Sequence, residues 1–534
     1  MRKEINILLF LMPLIIQVSV QGQTPDNIRL IDEIFAEYHN GMPGLAVAVE
    51  REGKVIYDKA FGLADMEHLV PNTTSTIFEC GSVSKQFTAA SVLLLAQDGK
   101  LSLQDDVRKY VPELPQYDAP ITIQNLLNHT SGLKDWGALY SLTGWSRTTR
   151  VYTQDLGFDI VFRQKSLNFT PGSEYSYSNS NYVMLVLIIE RVSGKSLAEF
   201  TEERLFSPLG MNDTQWRDNY REIVPDRAVA YSGSQGRFLQ NMPFENLHGP
   251  GGLLSTTSDL LKWNRLLETN ELFNNNIARL RIEPGLLTNG RSSGYAAGLM
   301  IGTLNGFDEI CHSGSTAGYR AWLAWYPEQK LSIAILSNYA SFNPTSMGRA
   351  VAGVFLGQAP EQPRTAEPDR SVTLTEADLT RWAGIYYSAS NNEVLRIESR
   401  EGSLYTGNQR YRALHSDTLY RGGQRYIFSP GNIITSGRTT YVRVAPAKTD
   451  AESLSEYTGR YYCEEVDVTY SIDVTEGGLR IFRYAGDTYR ITPQFLDAFS
   501  SGSGFYRFTR DRRGRITGFE VSVSRASRVP FRKL

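Results

Sequence analysis

Cys80-Gly81-Ser82-Val83-Ser84-Lys85-Gln86-Phe87 joins an extended approach to a long apolar helix, and the reading of this octapeptide decides the fold. Ser82 and Lys85 stand three residues apart, on one face of a helical turn. A serine hydroxyl is a weak nucleophile at its free pKa and needs a neighbouring base, which an amine at that spacing can supply. From Phe87 through Ala89, Ala90, Val92, Leu93, Leu94, Leu95 and Ala96 the helix is apolar nearly all round, the pattern of burial at the centre of a domain. Burial disfavours an ammonium and lowers a lysine pKa, so Lys85 is expected to accept a proton near neutral pH. Ser82 is therefore the candidate nucleophile and Lys85 its candidate base. The tetrad recurs at Ser131-Gly132-Leu133-Lys134, where Gly132 interrupts it and Asn128-His129-Thr130 precedes it. That copy is expected at a helix end and loop, with no buried base.

The 534 residues exceed what one hydrophobic core usually holds, so two or three domains are expected. Hydrophobic content of 41%, 21% charged residues and a net charge of -2 are ordinary for a globular protein, and no basic run or aromatic-basic stripe points to nucleic acid. Residues 1–22 read as a secretory signal peptide: Arg2 and Lys3, an apolar run from Ile7 to Ile16 broken by Pro13, then small residues Ser19 and Gly22. Export to a periplasmic or extracellular space is expected, with no stable membrane anchor. Cys80, Cys311 and Cys463 make no disulfide framework and read as small buried hydrophobes.

Ile28, Ile31, Ile34, Phe35 and Tyr38 recur at helical spacing and predict an opening helix over 26–40. Strand-like runs at 45–49 and 55–57 flank Arg51-Glu52-Gly53-Lys54, a hairpin signal. Residues 105–254 alternate helix and loop without a strand period and read as a helical insertion. Further strand-like runs at 295–301, 308–312, 321–326 and 331–337 predict an antiparallel sheet that the hairpin completes, followed by a helix over 344–356. An α+β domain over 23–356 is the result. Pro360, Pro363 and Pro368 mark a linker over 357–371. Beyond it, short segments rich in Tyr, Val, Ile and Arg predict two small all-β antiparallel, barrel-like domains over 372–447 and 450–534. They are related by a repeat: Leu379-Thr380-Arg381-Trp382-Ala383-Gly384-Ile385-Tyr386-Tyr387 returns 75 positions later as Leu454-Ser455-Glu456-Tyr457-Thr458-Gly459-Arg460-Tyr461-Tyr462.

Acyl transfer needs a second proton carrier and a hole for the oxyanion. Tyr177-Ser178-Asn179 leads into an apolar helix, where Tyr177 could relay a proton and Asn179 could hydrogen-bond a substrate amide. His312-Ser313-Gly314-Ser315 ends a strand-like run, and Gly314 would let a substrate backbone approach the strand closely.

With these three stations in order, the sequence resembles the serine β-lactamase and penicillin-binding-protein superfamily, most closely its class C branch with D-aminopeptidases, D,D-carboxypeptidases and esterases. Leu126-Leu127-Asn128-His129-Thr130-Ser131-Gly132-Leu133 and Gly251-Gly252-Leu253-Leu254-Ser255-Thr256-Thr257-Ser258-Asp259-Leu260 add to the resemblance. It implies Ser82 as the acylated nucleophile, Lys85 as its base and Tyr177 as the assisting proton carrier. Asn179, His312 and Gly314 would contact substrate, and the backbone N–H groups of Ser82 and Ser315 would form the oxyanion hole. His312 departs from the lysine usual in β-lactamases, which weakens the case for a penicillin carboxylate and resembles D-aminopeptidases. Those enzymes are similar also in carrying two small β-barrels after the catalytic domain. The expected activity is hydrolysis of amide bonds in small or D-amino-acid-containing peptides, with no metal and no organic cofactor. A carboxylesterase or β-lactamase on the same machinery, and a non-catalytic penicillin-binding-like sensor, are the alternatives.

Overall fold

The computed structural model describes residues 25–146, 149–234, 236–357, 371–484, 487–502 and 504–534. The expected signal peptide and the expected linker, apart from residues 357 and 371, lie outside them. Six strands form an antiparallel sheet: β1 (Leu45–Arg51), β2 (Lys54–Phe61), β3 (Met300–Leu304), β4 (Phe307–Thr316), β5 (Tyr319–Tyr326) and β6 (Leu331–Ser337), in the order β3-β4-β5-β6-β1-β2. The inner strands are buried on both faces, which is why β6 reads Leu-Ser-Ile-Ala-Ile-Leu-Ser without polar alternation. Side-chain size alternates instead. Leu45, Val47, Val49, Ile333 and Ile335 meet α1 (Pro25–Ile34) and, near the chain's passage out of the domain, α5 (Pro344–Leu356). On the opposite face Ala46, Ala48 and Ala334 leave room for the helical layer of α2 (Lys85–Gln97), α3 (Asn179–Ser193) and α4 (Thr257–Thr269).

Two boundaries differ from the sequence reading. The opening helix stops at Ile34, because the next residues unwind to seat Phe35 against Phe61 and Tyr38 against Phe342, both at 5.6 Å. The strand expected over 295–301 starts only at Met300. Gly298 holds a left-handed φ of 75° beside α2, where a Cβ would lie 2.7 Å from the backbone nitrogen of Gln86. That approach bends the chain away from the sheet.

The C-terminal region is all antiparallel β. Nine strands between Gly384 and Val444 form one nearly closed sheet, and eight strands between Gly459 and Lys533 close into a barrel. The repeat is visible as one hydrogen bond made twice: Tyr386 Oη donates to the Trp382 carbonyl at 3.2 Å, and Tyr461 Oη to the Tyr457 carbonyl at 2.8 Å. All three cysteines are buried and free.

The closed barrel, last in the chain, packs on the catalytic domain. Trp145 stacks on Tyr484 with ring centroids 4.1 Å apart, and Tyr470 Oη donates to the Leu142 carbonyl at 2.7 Å. The nine-stranded sheet contacts the far side of that barrel through Tyr387, Phe495 and Phe505. Between barrel and catalytic domain lies the second Ser-x-x-Lys tetrad. Contrary to the sequence reading its lysine is buried: Lys134 Nζ meets both Glu465 carboxyl oxygens, at 2.9 and 3.1 Å, and both side chains are fully buried. Ser131 Oγ donates instead to Asn181 Oδ1 at 2.5 Å. The tetrad is a docking element.

Removing one partner of a buried ion pair leaves the other charge uncompensated. Glu465→Gln is expected to lower stability by about 3–5 kcal/mol, and Lys134→Met with Glu465→Leu to recover most of it. Denaturant midpoints measure both, and an unchanged midpoint in the single variant would mean that the pair contributes nothing to docking.

Candidate active site

Ser82 sits in a tight 3-10 turn, Gly81–Ser84, that runs straight into α2. Gly81 holds a left-handed φ of 50°, and a Cβ there would lie 2.5 Å from the backbone nitrogen of Ser315. Gly314 answers from β4, where a Cβ would lie 2.0 Å from the Cys80 carbonyl oxygen. Two glycines thus let the Ser82 turn and the strand edge touch backbone to backbone. At Gly314 the protein's own Cys80 makes a close backbone approach. Ser82 and Ser315 line one pocket of about 70 Å³ that opens to solvent, together with Asn179.

Lys85 Nζ lies 3.2 Å from Ser82 Oγ and also donates to Asn179 Oδ1 at 2.9 Å and to the Pro250 carbonyl at 2.6 Å. The side chain is fully buried. Burial, and next the Arg525 cation, hold its pKa well below the usual lysine range, against an opposing pull from Asp135. The amine is therefore kept ready to take a proton.

Tyr177 lies under this amine, which stands 4.8 Å from its ring centroid. Its hydroxyl is buried, interacts with Ser82 without forming a hydrogen bond, and is kept protonated by desolvation. Asn179 opens α3; with its Oδ1 on Lys85, its amide nitrogen is left for the pocket. His312 stands behind these groups rather than in the pocket wall. Its Nδ1 bonds the Ser313 carbonyl at 2.6 Å and its Nε2 the Tyr295 hydroxyl at 2.9 Å, and burial, then Lys85, push its pKa down to about 3. A neutral imidazole follows at physiological pH.

Three groups of the site were not singled out as candidates from the sequence. Asp135, fully buried, accepts from the Asn179 backbone N–H at 2.7 Å and so fixes the start of α3. His129 Nδ1 accepts from the Ser178 backbone at 3.2 Å, while its ring packs on Tyr177 at 4.3 Å. Arg525 arrives from the closed barrel. Its guanidinium lies 5.4 Å from the Tyr177 ring centroid and 3.4 Å from Asp135, and its carbonyl accepts from the Asp135 backbone at 3.2 Å. Asn128-His129-Thr130 was a signal for the second of these; nothing near residue 525 announces the third.

The Beta-lactamase family pattern matches residues 31–358. This chain belongs to the Beta-lactamase family. It is a serine hydrolase of that family, followed by the two β units. It is 26% identical over 521 residues to a D-aminopeptidase of Cereibacter sphaeroides, covering 92% of this chain and 96% of that protein. A D-aminopeptidase of Brucella melitensis is 25% identical over 520 residues, with the same coverage of 92% and 96%. Among solved structures, an octameric penicillin-binding-protein homologue from Pyrococcus abyssi superposes with a TM-score of 0.56 at 24% identity, over 87% of this chain and 98% of that one. That likeness shows the fold. Both D-aminopeptidase alignments run into the C-terminal β units.

Arg525→Met removes the cation that helps hold Lys85 neutral. A lysine freed of that repulsion keeps its proton to higher pH, so the acidic limb of the kcat/KM profile is expected to move upward, while Arg525→Lys should leave it in place. A profile unmoved by Arg525→Met would remove the barrel from the electrostatics of the site.

Proposed function

We propose that this protein is an exported serine hydrolase that cleaves the amide bonds of small or D-amino-acid-containing peptides through an acyl-enzyme on Ser82. The observation that carries the reading is a buried lysine amine 3.2 Å from the serine hydroxyl, with its pKa held low. Neutral Lys85 takes the Ser82 proton as Oγ attacks the substrate carbonyl carbon. The backbone N–H groups of Ser82 and Ser315 receive the oxyanion; each such donor typically contributes about 3–4 kcal/mol to the transition state. Tyr177, protonated and beside both Ser82 and Lys85, gives its proton to the departing amine and takes one back from the Lys85 ammonium, and Asn179 holds the acyl part through its amide nitrogen. Water then attacks the ester carbonyl as Lys85 takes one of its protons, the bond to Ser82 Oγ breaks, and Lys85 gives that proton to Oγ.

Two features favour peptides over β-lactams. The relatives that align over 92% of the chain are D-aminopeptidases, and the neutral His312 offers no fixed charge to a penicillin carboxylate. Export rests on Arg2, Lys3 and the apolar run that follows.

Ser82→Ala is expected to reduce hydrolysis of D-alanine p-nitroanilide by at least about 10⁴-fold, and Lys85→Met by about 10²–10⁴-fold, with both variants folded. A fluorescent phosphonate should label wild type at Ser82 and neither variant at a comparable rate. Turnover confined to short p-nitrophenyl esters would replace the peptidase reading by an esterase, and a wild-type protein that is never labelled would end both.

A further inference from the structure

Tyr177 has a proton to move, yet its hydroxyl makes no hydrogen bond among the described residues that would fix it. The place of that group is therefore set by the backbone that carries it and by the rings packed on it. Both lead to His129. The His129 carbonyl accepts from the Ser176 backbone N–H at 3.0 Å, and its Nδ1 accepts from the Ser178 backbone N–H at 3.2 Å. One residue thus holds the chain immediately before and immediately after Tyr177. At 4.3 Å its ring also stands nearer to the Tyr177 ring than Tyr295 at 6.0 Å or His312 at 6.1 Å. His129 reaches both amides from a left-handed backbone, φ 56°, which histidine tolerates better than most side chains. Such a conformation persists only where its surroundings hold it.

The same hydrogen bonds fix where the ring carries its proton. A backbone N–H can only donate, so Nδ1 is the unprotonated nitrogen. The Asn181 amide nitrogen, 3.0 Å away, gives Nδ1 a second donor, and Ser131 Oγ keeps Asn181 in that orientation by donating to its Oδ1. The neutral imidazole then bears its proton on Nε2, which has no hydrogen-bond partner among the described residues. Burial, and next the charge of Lys85, hold its pKa well below the usual histidine range.

We infer that His129 is a positioning residue: its carbonyl and its unprotonated Nδ1 clamp the chain on either side of Tyr177 and so place the hydroxyl that protonates the leaving group. The inference rests on the acyl-transfer reading of Ser82 and on Tyr177 as the donor to the departing amine. A histidine that only stabilised the fold would slow every substrate alike.

The test uses two substrates with one acyl group: D-alaninamide, whose nitrogen must be protonated to leave, and D-alanine p-nitrophenyl ester, whose phenolate leaves without a proton. Each is measured as kcat/KM above the uncatalysed rate, with the folding of every variant checked by circular dichroism. Tyr177→Phe is expected to lower amide turnover by about 10²-fold or more and ester turnover by less than about threefold. His129→Phe keeps a ring without the acceptor and should lower the amide by at least about tenfold while sparing the ester. His129→Asn, with an amide oxygen near the Nδ1 position, should restore most of that loss. In the Tyr177→Phe background, His129→Phe should cost the amide nothing more.

Equal loss on both substrates in His129→Phe, no recovery in His129→Asn, or a further amide loss in the Tyr177→Phe background overturns the inference. Nitrogen NMR of isotope-labelled histidine in wild type depends on no variant folding. His129 should keep an unprotonated Nδ1 from about pH 8 to about pH 6, and a proton on Nδ1 in that range overturns the inference. If Tyr177→Phe cleaves both substrates like wild type, the inference falls with the role of Tyr177 while acyl transfer stands. If Ser82→Ala still cleaves the ester at the wild-type rate, the underlying reading has failed.

Discussion

A lysine amine kept out of water without a carboxylate to neutralise it is the constraint on which this molecule turns. Lys85 Nζ is met by a hydroxyl, a side-chain amide oxygen and a backbone carbonyl, all neutral acceptors. Such an environment solvates an amine well enough to position it and too poorly to favour its charge. The architecture supplies that balance from all sides: α2 is buried from Lys85 through Leu95, α3 brings Asn179 and Tyr182, and the loop at Pro250 closes above. The nearby formal charges, Arg525 and Asp135, oppose one another. The setting of the Lys85 amine beside Ser82 is thus a property of the domain's centre, not of a surface loop.

The closed barrel belongs to this arrangement even though the nine-stranded sheet precedes it in the chain. Its contact with the catalytic domain is aromatic, hydrogen-bonded and ionic at once: Trp145 on Tyr484, Tyr470 on Leu142, Lys134 in Glu465. Arg525 extends the contact to Tyr177. The D-aminopeptidase relatives align across this whole length, consistent with a unit larger than the hydrolase domain.

Much of this was legible in the residues. The apolar run behind Ser82 announced a buried helix because no amphipathic face was left to meet solvent, and the sheet was visible wherever β-branched runs lay between turns. The Tyr386 and Tyr461 corners preserved a repeat that conformation alone would make hard to notice. Other features depended on contacts between residues far apart in sequence. Lys134 looked like a loop lysine because its partner is more than 300 positions away, and the nearness of Cys80 to Gly314 has no local pattern. His312 was found by motif, yet its withdrawal from the pocket follows from Tyr295, whose own stretch read as a strand. Pairwise geometry of this kind is written in the fold, not in spacing.

The distance along the chain between Lys134 and Glu465 also has a temporal meaning. Translation at roughly 5–20 residues per second separates the two ends of this pair, 331 positions apart, by on the order of tens of seconds. Until those later residues are made, Lys134 lacks the carboxylate that it meets in the folded protein and Tyr177 lacks the guanidinium beside its ring. The last residues of the chain to be made therefore include a charge that the surroundings of Tyr177 contain in the finished fold.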